Sequence, residues 1–362
     1  MTAEVVNRPA GIVRRTSHAL AVQSSALVRR GLNDLALESH WEIKPLRSSR
    51  QTRAAISPAG HAAIIAPRSG PIASSVAIHD LTREESVNWT PNLTRHESND
   101  RELLALRWSP SGRVLLSASR DALHFWNERE KAEISARDIL ADAHASFAWS
   151  HNAAFFAAAN APSLRLWGCR HEEPSIAENP VGALNSVEPL TAFNPGEPEE
   201  AAFSHFGPVA FSGDAKHLAV SVKYAGEWAD DAILVLRVPS LERESLIAVQ
   251  GNITDLNWAP DNERIVYCAG GQVFSARVAL GESTQLPFTA EICRIHPHRF
   301  VCIGFSSWLR HSSKGRIFLA DVRDGRIIEE CDADGVIDLC WSLEGDRAYA
   351  ITRDGLAYIF EG

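Results

Sequence analysis

The sequence predicts an all-β fold, built from seven repeats of four strands and preceded by a short basic arm. Three observations support this prediction. A turn motif recurs seven times along the 362 residues. The segments around each copy alternate apolar and polar residues with a period of two, which indicates strands rather than helices. Gly, Pro, Asp and Asn interrupt this alternation where tight turns are expected.

The turn motif begins with an apolar anchor residue at the end of a strand, continues with a small polar residue, and then turns. Its fullest copy runs from Trp108 to Gly112 with the sequence Trp-Ser-Pro-Ser-Gly. Successive anchors are 37 to 62 residues apart. We expect the tryptophans among the anchors to lie in the core. The seven anchors are Ile56, Trp108, Trp149, Phe211, Trp258, Ile295 and Trp341.

Each anchor is followed by a second and a third apolar strand, and a weaker fourth strand precedes the next anchor. Four antiparallel strands in roughly 45 residues form one blade of a β-propeller. The last repeat ends after its third strand. The alternating segment His40–Leu46 precedes the first repeat, so we expect it to complete the last blade and to remove an exposed sheet edge. This divides the chain into an arm, residues 1–39, and a seven-bladed propeller, residues 40–362.

The repeat spacing and the Trp-Ser-Pro-x-Gly turn resemble those of the WD40-repeat family. Third strands of that family end in Trp-Asp, where this chain has Trp126-Asn127 and Trp167-Gly168, and Asp321 keeps only the acid. The Gly-His pair that opens a typical WD40 repeat is missing from every blade. The resemblance covers about residues 40–362 and implies the fold, whereas WD40 domains serve many unrelated assemblies.

Composition limits the classes of partner and the expected location. The net charge is −9, from 36 basic and 45 acidic residues, which argues against a general phosphate-binding surface and a nucleic-acid partner. No run of 18 apolar residues exists, so we expect no membrane span. Six dispersed cysteines without a Cys-x-x-Cys pair are typical of buried thiols in a reduced compartment. We therefore expect a cytoplasmic protein, with nuclear or mitochondrial locations as alternatives.

The sequence contains none of the motifs G-x-S-x-G, G-x-x-x-x-G-K-[ST] or H-E-x-x-H, so we expect neither enzymatic activity nor a cofactor. The best metal candidate is the set Cys293, His296, His298 and Cys302, whose ligand types suit zinc. We favour the alternative in which no metal binds, because His296 occupies the repeat turn and both cysteines lie in the strands that flank it.

Several acidic residues could suggest a propeller enzyme with its site in the central channel. The resemblance implies a structural role for Asp121 and Asp354, because the family commonly uses an aspartate to hold the turn between the second and third strands. We interpret the acidic loop of Glu227, Asp230 and Asp231 as solvated charge. The innermost strands, which are expected to line the channel, are mostly apolar and rich in alanine, which argues against an enzyme site.

Two loop insertions are the best candidates for partner binding, and both join the second and third strands of a blade. They lie in blades four and six, and therefore project from the same face of the ring. Tyr, Trp and Arg dominate the energetics of protein interfaces. The alternative is that each tryptophan covers its own loop. The candidate residues are Tyr224, Trp228, Trp308, Leu309 and Arg310. A third irregular segment, Gly168–Phe206, is expected to be a long connection.

The arm is a second candidate site. Apolar residues recur at helical spacing between residues 17 and 38, beside Arg29 and Arg30, which predicts an amphipathic helix. Such a helix could pack on the propeller, enter a partner groove or lie on a membrane surface. An Arg-rich start with few acidic residues, here only Glu4 before Asp34, is also typical of a mitochondrial targeting segment.

Taken together, these features favour a non-enzymatic scaffold for protein–protein interaction, acting as a subunit or adaptor of a larger intracellular assembly. The first alternative is a hydrolase or lyase that acts on a small ligand in the channel. The second is nucleic-acid or membrane-surface binding through the arm.

Overall fold

The structure is a computed structural model. It describes residues 13–15, 36–43, 53–65, 76–81, 85–86, 103–119, 123–127, 133–136, 146–160, 163–170, 173–174, 182–185, 203–224, 231–307, 315–353 and 356–361. The elements in these ranges are strands. Within the same ranges, no helix has the length and apolarity needed to cross a membrane.

The first half of the chain contributes strands β1 (Val13–Arg15), β2 (Ala36–Ile43), β3 (Arg53–Ile56), β4 (His61–Ile65), β5 (Val76–Asp80), β6 (Glu85–Ser86), β7 (Leu103–Trp108), β8 (Val114–Ser119), β9 (Leu123–Asn127), β10 (Glu133–Ala136), β11 (Ser146–Trp149), β12 (Phe155–Asn160), β13 (Ser163–Arg170), β14 (Glu173–Pro174) and β15 (Gly182–Asn185). The second half contributes β16 (Phe203–Phe211), β17 (His217–Tyr224), β18 (Asp231–Arg237), β19 (Arg243–Ala248), β20 (Ile253–Trp258), β21 (Arg264–Ala269), β22 (Gln272–Arg277), β23 (Glu282–Thr289), β24 (Ile292–Ile295), β25 (Val301–Ser306), β26 (Arg316–Asp321), β27 (Ile327–Asp332), β28 (Val336–Trp341), β29 (Arg347–Thr352) and β30 (Leu356–Glu361).

These strands form seven antiparallel sheets, which are the blades of the propeller. Blades 1 to 6 are built from consecutive strands: β3–β6, β7–β10, β11–β15, β16–β19, β20–β23 and β24–β27. Blade 7 combines β28, β29 and β30 with the N-terminal strands β2 and β1. The first strand of each blade ends at its predicted anchor residue.

The seven blades form a closed ring. The first strand of each blade contacts the first strand of the next, and β28 of blade 7 contacts β3 of blade 1. A first strand pairs with only one strand, the second of its own blade. Its other edge therefore faces the centre of the ring. This arrangement confirms the predicted seven-bladed β-propeller.

The N-terminal strand closes the ring. Strand β2 pairs antiparallel with β30, and His40 lies opposite Tyr358. The strand begins at Ala36, four residues before the predicted boundary at residue 40. The predicted arm helix is therefore wrong for residues 36–38, because their backbone groups complete the ladder with β30. The rest of that predicted helix, including Arg29 and Arg30, lies outside the described residues.

Blade 3 corrects the prediction of a long irregular connection after residue 168. Strand β13 continues to Arg170, and β15 pairs with β13 as an outer strand in the register Leu164 opposite Leu184. Strand β16 then begins at Phe203. Without a partner, the outer edge of β13 would leave backbone groups unpaired. The segment that follows β13 is long enough to fold back, and its strand β15 pairs with these groups.

The hydrophobic core consists of seven clusters, one between each pair of neighbouring blades. The cluster between blades 7 and 1, for example, joins Tyr349 and Ile351 to Ile56 and Ile64. The four anchor tryptophans are all buried, as predicted. Each sheet thus buries both faces, which explains the nearly continuous apolar strands such as Ala232–Leu236.

A serine after the anchor holds the turn between the first and second strands. Ser212 is representative: its hydroxyl accepts a hydrogen bond from the backbone N–H of His217 at 3.0 Å and donates to Asp214 at 2.7 Å. Ser57, Ser109, Ser150 and Ser342 accept a backbone N–H in the same way. The small polar residue of the motif therefore satisfies a backbone donor of the turn in five blades.

Replacing Ser212 with alanine should lower the free energy of unfolding by about 1–3 kcal/mol, because the His217 N–H loses its acceptor inside the fold. Equilibrium denaturation in urea measures this loss. The matched control is Ser240→Ala, at an exposed serine, which should change stability by less than about 0.5 kcal/mol. Equal effects of the two substitutions would contradict the proposed role of the anchor serine.

Removal of residues 1–44 should lower the melting temperature and promote self-association, because β30 then has an unpaired edge. Removal of residues 1–34, which retains β2, is the matched control and should keep the protein monomeric. Thermal melting and size-exclusion chromatography measure both properties. An intact, monomeric propeller without residues 1–44 would show that β2 does not close the ring.

Candidate functional site: the central channel and the blade junctions

The strands around the predicted binding loops are placed as expected. Strand β17 ends at Tyr224 and β18 begins at Asp231, while β25 ends at Ser306 and β26 begins at Arg316. Both insertions therefore join the second and third strands, in blades 4 and 6. Tyr224 is described only through its backbone. Trp228, Trp308, Leu309 and Arg310 lie outside the described residues, as do Asp121 and Asp354, so their predicted roles stay predictions.

A cavity of about 670 Å³ occupies the centre of the ring, and residues from all seven blades line it. We call it the central channel. The residue directly before the anchor lines it in all seven blades, and the residue three before the anchor lines it in blades 3, 4, 5 and 7. The volume is within the range of small-molecule pockets in proteins.

The indole of an anchor tryptophan bonds to the blade before its own. Trp108 Nε1 donates to the carbonyl oxygen of Ala55 at 3.0 Å, Trp258 Nε1 to Ala210 at 3.0 Å, and Trp341 Nε1 to Arg294 at 2.8 Å. Each acceptor directly precedes the anchor of its own blade. The indole thus adds a second donor to a carbonyl of the preceding blade and links the two blades.

Carboxylates bond in the opposite direction, to the blade that follows. Asp338 in blade 7 accepts the N–H of Ile56 in blade 1 at 2.8 Å. Asp255 in blade 5 accepts the N–H of Cys293 in blade 6 at 2.9 Å. Asp231 accepts the N–H of Ile253 in the same way at 2.8 Å.

The position of Asp231 corrects a prediction. Asp231 was expected to be solvated loop charge, but it is buried at the start of β18. The carboxylate bonds there to the N–H of the neighbouring blade, and this bond compensates the loss of solvation. Glu227 and Asp230, the other acids of that predicted loop, lie outside the described residues.

The channel also contains a buried ion cluster that connects three blades. The guanidinium of Arg294 in blade 6 donates a hydrogen bond to Asp255 in blade 5, and its Nη2 lies 3.8 Å from Asp338 in blade 7. Although burial acts against it, the two carboxylates raise the pKa of Arg294 above its ordinary value. Burial raises the pKa of Asp338, against the opposing charges of Arg294 and Arg107.

This cluster overturns the expectation of a mostly apolar channel. Blades 1, 3 and 4 do present Ala55, Ala148 and Ala210 before their anchors, whereas blades 2, 5 and 6 present Arg107, Asn257 and Arg294. The composition of the strands suggested an apolar lining because most of their residues are apolar. Those apolar residues pack between the blades, and the few polar ones are concentrated at the positions that face the channel.

His296 cannot serve as the zinc ligand that was considered, because the fold uses both of its ring nitrogens. Nδ1 accepts the N–H groups of His298 at 2.9 Å and Arg299 at 3.0 Å, and Nε2 lies 3.0 Å from the carbonyl oxygen of Gly345 in blade 7. With Nδ1 as acceptor, Nε2 carries the proton and donates to Gly345. The histidine therefore replaces the anchor serine in its turn and adds a bond between blades 6 and 7.

The two cysteines of the zinc candidate are buried, as the preferred interpretation expected. Contact with Cys302, and then burial, raises the pKa of the Cys293 thiol, and burial likewise raises that of Cys268 nearby. A raised pKa keeps these thiols protonated, and therefore poor metal ligands and nucleophiles. In the described part of the chain, no group of three or more potential ligands is arranged to hold a metal ion.

Four charged residues of the channel were not predicted from the sequence, although a signal for them exists: Arg107, Asp255, Arg294 and Asp338. Each of the four residues lies either one or three positions before the anchor of its own blade. These two positions share one face of a strand, and in an innermost strand that face meets the channel. Alignment of the seven repeats on their anchors would have shown the charged residues in register.

Comparison with known proteins supports the fold alone. No family model and no curated protein matches the chain. Among solved structures, a chain from a crystal structure of a mitotic checkpoint complex is similar, with a TM-score of 0.64 and 11% sequence identity. The alignment covers 92% of this chain and 98% of that chain. In total 1329 solved chains match, and a fold shared so widely does not identify a function.

His296 should make the protein less stable in mild acid. Burial lowers the pKa of its imidazole to about 4. Because this value is below the ordinary 6.5, the unfolded chain takes up the proton first, and the contribution of neutral His296 is lost as the pH falls from 6.5 towards 4. The expected loss is about 1 kcal/mol per pH unit.

Denaturation at several pH values, compared with His296→Asn, tests this prediction. Asparagine retains an acceptor for the two N–H groups but does not titrate, so the variant should be less stable than the wild type at neutral pH and lose less on acidification. His298→Asn replaces an exposed histidine in the same turn and should keep the wild-type loss. An unchanged acid profile in His296→Asn would refute the assignment.

Proposed function

We propose that this chain is a non-enzymatic scaffold for protein–protein interaction, a WD40-type propeller that acts as a subunit or adaptor of a larger assembly. One observation supports the proposal most directly: the carboxylates in the channel are bonded to neighbouring blades. Asp255 and Asp338 each accept a backbone N–H and face Arg294, which leaves them poorly suited to exchange protons with a substrate.

The inter-blade bonds also suit a scaffold because they make the ring rigid. Loops that are held at fixed spacing lose little conformational entropy on binding, so more of the contact energy appears as affinity. The insertions of blades 4 and 6 begin and end on strands of this ring. We propose the face that carries them as the partner surface, with Trp228 and Trp308 as its central residues.

Two further features support the WD40-type assignment. The indole of Trp126, at the position where the family has its Trp-Asp pair, donates to the hydroxyl of Ser117 at 2.9 Å and joins the third strand to the second. The anchor serines give the blades a common turn. The similar solved chain comes from a protein complex, which agrees with protein partners as a class.

We also propose an intracellular location. All six cysteines are free, and the three between blades 5 and 6 are buried. Free thiols of this kind are typical of proteins in reducing compartments.

The test is affinity purification of three forms from native lysate: the wild type, Trp228→Ala/Trp308→Ala, and the control Leu280→Ala. Leu280 is 58% exposed in the turn between β22 and β23, on the opposite face of the ring. We expect a stoichiometric partner with the wild type and the control. With the double variant, the dissociation constant for the purified partner should rise at least about tenfold, as for the loss of interface hot spots.

Matching melting temperatures establish that the three forms are equally folded. Absence of a stoichiometric partner in all three would refute the scaffold. Full retention in the double variant would move the binding surface away from this face. Turnover of a small molecule that disappears in Asp338→Asn would instead support the channel enzyme.

A further inference from the structure

Arg107 is the one charged channel residue, among those the structure describes, for which the fold supplies no hydrogen bond. Its side chain lines the channel directly before the anchor of blade 2. Arg294 holds the equivalent position in blade 6, where it bonds to Asp255 and to the carbonyl oxygen of Cys293. The Arg107 guanidinium forms no hydrogen bond or ion pair within the described residues, although its charge acts on Asp338.

The Arg107 guanidinium has donors available to a ligand. It carries five N–H donors in a plane and no acceptor. Arg107 is partly exposed in the channel, and its nitrogens are not among the described buried atoms that lack a partner, so water can reach them. A group that accepts two parallel hydrogen bonds matches the planar guanidinium better than water does.

The surroundings of Arg107 leave room for such a group. On either side, blades 1 and 3 present Ala55 and Ala148 before their anchors, the smallest side chains that still face the channel. Neither neighbour at this level is acidic. Ser146 in blade 3 and the anchors Trp108 and Trp149 line the same cavity, so both polar and apolar residues surround the site.

The charge already present in the channel favours a ligand with a single negative charge. The charged residues of its lining are Arg107 and Arg294, and Asp214, Asp255 and Asp338, which give a net charge of −1 when all are ionised. A monoanion pairs with Arg107 and adds one negative charge. A dianion such as hydrogenphosphate adds a second negative charge near three carboxylates, which is less favourable.

We propose that Arg107 is the centre of a binding site in the central channel for a ligand that carries a carboxylate. The guanidinium pairs with the carboxylate, and Ala55 and Ala148 make room for the carbon chain that carries it. The carboxylate belongs either to a small organic acid or to an acidic side chain of a bound peptide. The site is separate from the loop surface proposed above, and either proposal can fail alone.

Saturation-transfer NMR on the intact protein tests the site with three probes: butyrate, inorganic phosphate, and a short glutamate-containing peptide with its glutamine counterpart. We expect butyrate or the glutamate peptide to bind with a dissociation constant of about a millimolar or lower, corresponding to roughly 4 kcal/mol. Binding of butyrate assigns a small acid, and binding of the peptide without butyrate assigns an acidic side chain.

Two substitutions link the binding to Arg107. Arg107→Gln removes the charge at similar size and should weaken binding about tenfold, as expected for a charge-assisted hydrogen bond. Arg107→Lys keeps the charge without the paired donors and should bind with intermediate affinity. The matched control Arg113→Gln, at an exposed arginine in the turn of the same blade, should bind like the wild type.

Three results would overturn the proposal: no transfer to any carboxylate probe, equal affinity of wild type and Arg107→Gln, or tighter binding of phosphate than of butyrate. If Arg107→Gln does not fold, as judged by its melting curve, the comparison of Arg107→Lys with wild type decides the question. An affinity of Arg107→Lys identical to that of the wild type then counts against the site.

Discussion

The structure depends on how seven open strand edges are satisfied at the centre of the ring. Each first strand pairs on one side only, so its other edge presents unpaired N–H and C=O groups to the channel. Such an edge is costly when buried and promotes association when exposed. Here side chains of the adjacent blades supply missing partners. Asp231, Asp255 and Asp338 accept N–H groups of the following blade, and Asn257 donates to the carbonyl oxygen of Cys293. The indoles of Trp108, Trp258 and Trp341 add further bonds to carbonyls of the preceding blade.

These bonds explain why charge can be buried inside the ring. A carboxylate in a desolvated site needs both a counter-charge and hydrogen-bond donors. Asp338 has the guanidinium of Arg294 and the N–H of Ile56. The ion cluster therefore stabilises the ring by connecting blades 5, 6 and 7, and its groups are largely used by the structure itself. Arg107 lacks such partners in the described residues, which is the physical basis for assigning a ligand to it.

A rigid ring also relates the fold to binding. The loops of blades 4 and 6 are anchored on strands whose neighbours are fixed by hydrogen bonds and by the seven clusters between the blades. A partner that contacts two blades then meets groups at a set distance. The channel offers a second environment, lined by the ion cluster and by Arg107.

Local patterns in the sequence determined the number of repeats, the anchors and the strand that closes the ring. Strand periodicity and the Ser-Pro-x-Gly turn depend on neighbours within a few residues, which a single sequence displays. The local apolar runs around His296 likewise predicted that the neighbouring cysteines are buried. Local patterns did not predict β15 or the start of β2, because pairing with the distant strands β13 and β30 overrides the local pattern.

Only the tertiary structure decided which polar residues meet in the channel and what each one does there. Asp231 looks like loop charge in the sequence, yet it bonds to Ile253 in the next blade. Arg294 acquires its partners from residues about 40 positions away on either side. Closure of the ring creates these contacts, since it places equivalent positions of successive repeats side by side around one cavity. A single repeat carries no information on which of its polar groups will find a partner across that cavity.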